Sequence, residues 1–308
     1  MLAEPDWIAV EWGTSNLRAW GIGPGGEVMF SATSDRGMGR LAREDYPDAL
    51  IDLLGGRLAP VGPAINVIIC GMAGARQGWL EAPYLDVPAD LDSLLGKAVR
   101  PPAVGSRLSP AILPGLCQRA EGDEDVMRGE ETQLLGLAAL KPGFTGVVCM
   151  PGTHCKWVRL DGRRVERFAT TMTGEMYEIL KTHSVLRHSF PAGEDNYADY
   201  ARGRIDGLQL GMEAPEKLTM HLFKVRSAAL LSDKQANWCK GFLSGLLIGA
   251  DIAGQRDWIE GADVALIGDG PAATVYSLGL QVVGESVEKI DPADTVLAGL
   301  KAARAAGA

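Results

Sequence analysis

One pattern occurs twice in this chain, 139 residues apart. The first copy is "WIAVEW" (7–12), Gly13-Thr14, "LRAWGI" (17–22), the turn "GPGGE" and "EVMFSAT" (27–33). The second is an apolar run over 146–150, Gly152-Thr153, a run over 156–160, the turn "DGRR" and a run over 164–170 that ends in "FAT". A period of 20–50 residues would build a solenoid; a period of half the chain asks for two like domains. The repeat also explains an odd feature of "VEWGTSNLRAW". Glycine weakens strand interiors, and Ser, Thr and Asn compete for backbone hydrogen bonds there. A strand interrupted in this way makes a tight turn whose amide and hydroxyl groups face something small and anionic.

Each half continues as β-β-β-α-β-α-β with variations. In the first, a helical pattern near 44–58 precedes a buried strand "INVIIC" (65–70), a Gly- and Pro-rich loop, a strand-like run "AILPGLC" (111–117) and a helix that starts near "RGEETQLLGLAAL". In the second, a helical stretch from about 174 to 255 precedes a strand "ADVALIG" (262–268), a helix, a short strand "LQVVGE" and a final helix from about 292. The expected domains are 1–142 and 143–308, divided at Pro142-Gly143, with a helical insertion over about 176–255.

The 308 residues and net charge of −9 speak against nucleic acid or an anionic membrane as partner, since both need a basic footprint. The best apolar run, "FLSGLLIGADIAG", is broken by Asp251 and is too short to span a bilayer. Five cysteines, an odd number, mostly in apolar runs and with no signal peptide ahead of them, read as reduced thiols of a cytoplasmic protein. "GIGPGG" fits G-x-G-x-x-G but leads into a strand, and no G-x-x-x-x-G-K-[ST] is present, so neither a dinucleotide fingerprint nor a P-loop is read here. Gly241, Gly245 and Gly249 recur every fourth residue as a smooth helix face for close packing.

Strand–acid–x–Gly–Thr, a second strand–Gly–Thr and a third strand–Gly–x–Gly resemble the nucleotide loops of the sugar kinase, hsp70 and actin superfamily. "WGTSNLRAW", "GMAG", "APYLDVPA", "ILPGLC", "VMRGEETQLLG", "MPGTHCKWV", "TGE" and "FLSGLLIGA" together resemble the 2-dehydro-3-deoxygalactonokinase family. The resemblance implies an α/β, actin-like ATPase (ribonuclease H-like) fold, with two similar domains of mixed sheet and helix around a central cleft. It also implies transfer of phosphate from Mg²⁺-ATP to the 6-hydroxyl of 2-dehydro-3-deoxy-D-galactonate, in galactonate catabolism. Alternatives of the same fold are a kinase for another keto-deoxy or aldonic acid, a sugar sensor without turnover, or an ATPase acting on protein partners. A homodimer is left open.

Candidate roles follow from chemistry. Close-approach glycines and backbone amides suit phosphate, which nominates Gly13, Thr14, Ser15 and Asn16 in the first half and Gly152, Thr153 and His154 in the second; His154 reads equally well as an interior side chain. The resemblance to the superfamily implies that Gly268 and Gly270 lie under adenosine. Glu11, where the superfamily that the chain resembles commonly carries Asp, would hold a hydrated Mg²⁺. A kinase needs a carboxylate to take the proton of the acceptor hydroxyl; Glu130 and Glu131 are both candidates, ahead of Asp125. The substrate's own carboxylate calls for Arg: Arg128 first, then Arg18 and Arg76. Gly71, Met72 and Gly74 would admit the sugar. Glu175, with Thr173, would either meet its hydroxyls or cap a helix.

Overall fold

The computed structural model describes residues 4–191, 193, 196–283 and 287–307. Its strands are β1 (Trp7–Trp12), β2 (Leu17–Ile22), β3 (Val28–Ser34), β4 (Ile65–Gly71), β5 (Tyr84–Asp86), β6 (Ala89–Asp90), β7 (Leu108–Ile112), β8 (Gly115–Gln118), β9 (Asp125–Met127), β10 (Thr145–Met150), β11 (Cys155–Asp161), β12 (Arg164–Thr171), β13 (Val264–Ile267) and β14 (Val287–Ile290). The helices are α1 (Tyr46–Leu54), α2 (Glu130–Leu140), α3 (Thr173–His183), α4 (Tyr197–Glu213), α5 (Leu218–Leu231), α6 (Ala236–Gly254), α7 (Arg256–Ile259), α8 (Gly270–Val282) and α9 (Pro292–Ala306).

The chain forms two compact units, one of residues 1–144, 160–167 and 292–308, the other of 145–159 and 168–291. Each unit carries the same sheet. In the first the order is β3-β2-β1-β4-β7; the other sheet runs β6-β12-β11-β10-β13-β14, whose last five strands repeat that order and whose edge strand β6 is an addition, antiparallel to β12. In the first sheet β1, β2 and β3 are antiparallel neighbours, while β4 and β7 extend it in parallel. β10, β13 and β14 are likewise parallel. This duplicated order is the actin-like, ribonuclease H-like architecture.

Because β1 is central and has a parallel neighbour, it is buried on both faces. Only Glu11 breaks its run of buried residues. The core of the first unit packs Trp12 and Tyr46 with ring centroids 4.7 Å apart, next to Trp79.

Three sequence expectations need correction. "AILPGLC" is not one strand: its first part ends β7, and after Leu113-Pro114 the chain enters β8, which joins a separate sheet of order β5-β8-β9. Pro114 has no N–H to give a ladder, so the strand breaks there. "LQVVGE" is not a strand over 280–282, which end α8; Ala273, Tyr276 and Leu280 bury one face at helical spacing. Its Gly284 and Glu285 lie outside the described residues. Finally, the chain does not divide once near 142. Residues 160–167 and α9 belong to the first unit, because α9 locks onto α2 at a two-sided glycine contact. A Cβ at Gly136 would sit 1.8 Å from the Thr295 carbonyl oxygen, and one at Gly299 would sit 1.9 Å from that of Thr132.

The helical block of the second unit is held the same way. Gly203, Gly207 and Gly211 of α4 face Gly241, Gly245 and Gly249 of α6, and a Cβ at any of the six would lie 2.0–2.4 Å from a carbonyl oxygen of the partner helix. Two backbones in near contact gain dispersion along their length.

Candidate active site

In the first unit the Gly-Thr turn is closed by the Gly13 amide, which donates to the Asn16 carbonyl at 2.8 Å. The segment 37–39 then occupies the turn's other carbonyls. Gly37, Met38 and Gly39 donate to Ser15, Gly13 and Thr14 at 3.3, 3.0 and 2.9 Å. A Cβ at Gly37 would collide with this turn. The amides of Thr14, Ser15 and Asn16 find no acceptor among the described residues, and all three residues are exposed. Such a nest of outward amides suits an anion.

Glu11 lies on β1 just before the turn, opposite Arg18 of β2, whose guanidinium is 3.7 Å away. Burial pushes the Glu11 carboxyl above the usual carboxylate range, against the pull of Arg18. Arg18 is thus engaged with Glu11 and lies over the Trp20 ring. Arg76 is an exposed loop residue paired with Glu81.

The ends of β1 and β4 meet the start of α2. Gly71 ends β4 with a φ of 88°, and a Cβ there would press on the Trp12 carbonyl at 2.6 Å; only glycine serves. Met72–Gly74 follow as a 3₁₀ turn. A Cβ on Gly129 would lie 3.4 Å from the Gly71 Cα, which places the N-terminus of α2 against this loop. There Arg128 donates through Nη2 to the Ala82 carbonyl at 2.8 Å and stacks over Tyr84 at 4.2 Å. Its Nε and Nη1 are buried with no partner, and Nη1 is 2.8 Å from where a Gly74 Cβ would be.

Glu130 and Glu131 differ sharply. Glu130 is partly exposed and accepts the Arg128 amide at 3.0 Å. Glu131 is fully buried; its two oxygens accept the Gly129 amide at 2.6 Å and the Thr132 hydroxyl at 3.1 Å. Burial first, then the neighbouring Glu130, pushes the Glu131 carboxyl up to about 7. The buried Cys70 thiol, which pairs with Thr132 and stands opposite Glu11 in the β1–β4 register, is raised well above its ordinary value by burial and by the charges of Glu11 and Glu131. Cys70 and Thr132 had no signal in the sequence; only strand register brings them here.

The folded protein holds the Glu131 proton more tightly than the unfolded chain does. This stabilisation is complete below the ordinary glutamate value of 4.5 and is lost as pH rises through about 7. A melting series is expected to show stability falling between about pH 5 and 8, by up to about 3 kcal/mol, with Glu131→Gln flattening the slope. Parallel slopes for the two proteins would contradict this.

In the second unit Gly152-Thr153 rests on the start of α3. The Glu175 amide donates to the Thr153 carbonyl at 2.9 Å, and a Cβ on Gly174 would sit 2.3 Å from the Gly152 carbonyl oxygen. His154 is not an interior side chain: it is half-exposed, and its Nε2 lies 2.6 Å from Glu175 Oε2. Glu175 therefore belongs with the Gly152–His154 turn and the second unit. Gly268 packs against Pro151, with 3.2 Å from a built Cβ to Pro Cδ, and Gly270 opens α8 with a φ of 71°. These loops border a cavity of about 510 Å³ whose walls include Gly152, Thr153, Tyr177, Tyr200, Pro271 and Tyr276. A groove of about 610 Å³ between α4, α6 and α8 is larger, but it is lined by Ile205, Met212, Ile252 and Val282 and by none of these loops.

All five cysteines are buried and unpaired. Among the described residues no helix is long and apolar enough to cross a membrane, and no three His, Cys, Asp or Glu side chains cluster as a metal site.

Comparison with known proteins agrees with this fold. Residues 11–303 match the family model described as 2-keto-3-deoxy-galactonokinase. The chain is 43% identical to a probable 2-dehydro-3-deoxygalactonokinase of Rhizobium meliloti (strain 1021) and 36% identical to the 2-dehydro-3-deoxygalactonokinase of Escherichia coli (strain K12), with 96% of each chain covered in both cases. A crystal structure from Sinorhizobium meliloti that bears the same provisional name superposes with a TM-score of 0.88 at 42% identity, covering 97% of this chain and 96% of that one. A xylulose kinase from Lactobacillus acidophilus, at 9% identity and a TM-score of 0.52 over 97% of this chain and 89% of its own, shares the fold alone. With its duplicated sheet, its two Gly-Thr turns and a match along nearly its whole length, the chain belongs to the 2-keto-3-deoxy-galactonokinase family.

Proposed function

We propose that this protein transfers the γ-phosphoryl group of ATP to the 6-hydroxyl of 2-dehydro-3-deoxy-D-galactonate, giving the 6-phosphate and ADP. The observation that carries the reading is the second unit's cavity, bordered by the Gly152-Thr153 turn and the start of α8, in a chain of this family. Adenosine occupies that cavity against Pro271 and Ala272, which follow Gly268 and Gly270 in the loop that opens α8. The amides and hydroxyls of the Gly152–His154 turn bind its phosphates, and the outward amides of the Gly13–Asn16 turn in the first unit also suit a phosphate.

The sugar acid binds in the first unit at Gly71–Gly74. Arg128 takes its carboxylate: two buried donors without a partner cost free energy in the unliganded protein, and a carboxylate is the planar acceptor that a guanidinium fits. Glu130 takes the proton of the 6-hydroxyl as the oxygen–phosphorus bond forms. Of the pair it is the one open to solvent; both oxygens of Glu131 are engaged inside the protein. Glu131 fixes the turn that carries Glu130.

Mg²⁺ fits Glu11. This ion binds through one or two carboxylates and otherwise through substrate phosphates and water, so a lone acid beside a phosphate turn is a sufficient protein share. When bound it neutralises charge on the β- and γ-phosphates. Glu11, 3.7 Å from the Arg18 guanidinium, supplies that carboxylate.

The test is ADP release by purified protein with Mg²⁺-ATP and a panel of six-carbon acids and sugars. Turnover on 2-dehydro-3-deoxy-D-galactonate is expected; turnover only on an aldohexose or another sugar acid would overturn the substrate. In the same assay Arg128→Leu is expected to raise KM for the sugar acid by about 10–100-fold, the range of a lost charged hydrogen bond. KM for ATP should stay unchanged.

A further inference from the structure

α6 carries a buried carboxylate that the reaction above does not use. Asp251 is 8% exposed and meets no cation among the described residues; four neutral donors surround it. Trp157 Nε1 of β11 donates to Oδ1 at 3.1 Å, while Thr171 Oγ1 of β12 and Thr173 Oγ1 of α3 donate to Oδ2, each at 2.9 Å. The Tyr276 hydroxyl of α8 makes a further, short hydrogen bond to Oδ2. Oδ2 thus takes three of the four donors and Oδ1 one, so the carboxylate is held chiefly through Oδ2. Burial raises its protonation point and the four donors oppose that rise.

The donors are not scattered. Thr173 and Tyr276 line the cavity of the second unit, and so do Ser244, Leu247 and Ile248 of Asp251's own helix. Thr173 is also the first residue of α3, and the next two residues, Gly174 and Glu175, support the Gly152-Thr153 turn. One carboxylate thus ties α3, α6, α8 and two strands at the floor of the cavity.

We propose that Asp251 is a positioning residue for nucleotide: it fixes the start of α3 and the inner face of α8, and through α3 the phosphate turn. This rests on the cavity being the nucleotide site. Asp251 touches no ligand itself.

The experiment compares wild type with Asp251→Asn, Thr173→Val and Tyr276→Phe. It measures ADP affinity by calorimetry, KM for ATP, KM for the sugar acid, kcat at saturating ATP and the melting temperature. Asn keeps the shape of Asp and one acceptor, and the three hydroxyls around it can turn to accept. Asp251→Asn is expected to weaken ADP binding and raise KM for ATP by about tenfold or more, the scale of a charged hydrogen bond. The two single-hydroxyl variants should do so by about threefold, the scale of a neutral one. The sugar acid's KM and kcat at saturating ATP should stay close to wild type in Asp251→Asn, whose side chain does not line the cavity.

Unchanged ADP affinity in a folded Asp251→Asn protein would overturn the proposal, as would equal rises in both KM values. Should Asp251→Asn not fold, the hydroxyl variants decide by the same split. If wild type binds no ADP, the nucleotide reading of the cavity fails first, and that outcome is separate.

Discussion

Glu130→Gln is expected to lower kcat by roughly 10²–10⁴-fold, the usual share of a positioned general base. ADP affinity should remain within about twofold, because the substitution removes a proton acceptor and no nucleotide contact. The amide still accepts the Arg128 N–H that the carboxylate takes at 3.0 Å, so the turn before α2 keeps its shape. Glu131→Gln is the comparison. It should cost less than about tenfold in kcat, since a buried group acts on turnover only through its neighbour, and its main effect falls on stability against pH. Stopped assays at saturating ATP and sugar acid separate the two. A fully active Glu130→Gln protein, or a larger loss for Glu131→Gln, would transfer the base to the other carboxylate or away from α2.

The second large effect concerns folding. Gly245→Val places a Cβ 2.0 Å from the Arg204 carbonyl oxygen and 2.7 Å from the Leu208 amide nitrogen. Both are backbone atoms of α4, so no rotamer change relieves the contact and the helices must separate. The expected cost is about 4 kcal/mol or more, above ordinary overpacking because the whole α4–α6 seam opens. A fall of about 10 °C or more in melting temperature and loss of soluble protein would report it. Gly254→Ala at the end of the same helix is the control. A Cβ there meets nothing within 4 Å, so a change of no more than about 1 kcal/mol, in the stabilising direction, is expected. Equal behaviour of the two variants would refute the close-packed seam.

Much of the fold could be read from local pattern. The two Gly-Thr pairs and their flanking strands stand in the structure within a residue or two of the positions read from the sequence, because strand and turn chemistry is local. The same holds for the smooth face at Gly241, Gly245 and Gly249. Its mate at Gly203, Gly207 and Gly211 went unread, since the spacing of one helix does not say which helix it meets.

The candidate site was less legible. Arg128, Glu130 and Gly71 were nominated by residue type, yet nothing in the chain order set Glu130 apart from Glu131. Burial separates them, and burial depends on β1, β4 and the 71–74 turn closing over α2. His154 was balanced between two environments that the sequence could not distinguish; it proved half-exposed beside Glu175. Asp251 was visible only as a charge that interrupts an apolar run. Its meaning comes from four donors that lie 25 to 94 residues away in sequence.

By itself, then, the sequence determined the duplicated strand–turn–strand unit, the chemistry available at each turn and the family. Periodicity, glycine content and turn residues act over a few positions and need no knowledge of the rest. Tertiary structure alone decided that α9 returns to the first unit, which of two adjacent glutamates is open, and that an acid in an apolar helix anchors a cavity. Each of these turns on which distant backbone or donor reaches a given side chain, and that is settled only when the sheets and helices have packed.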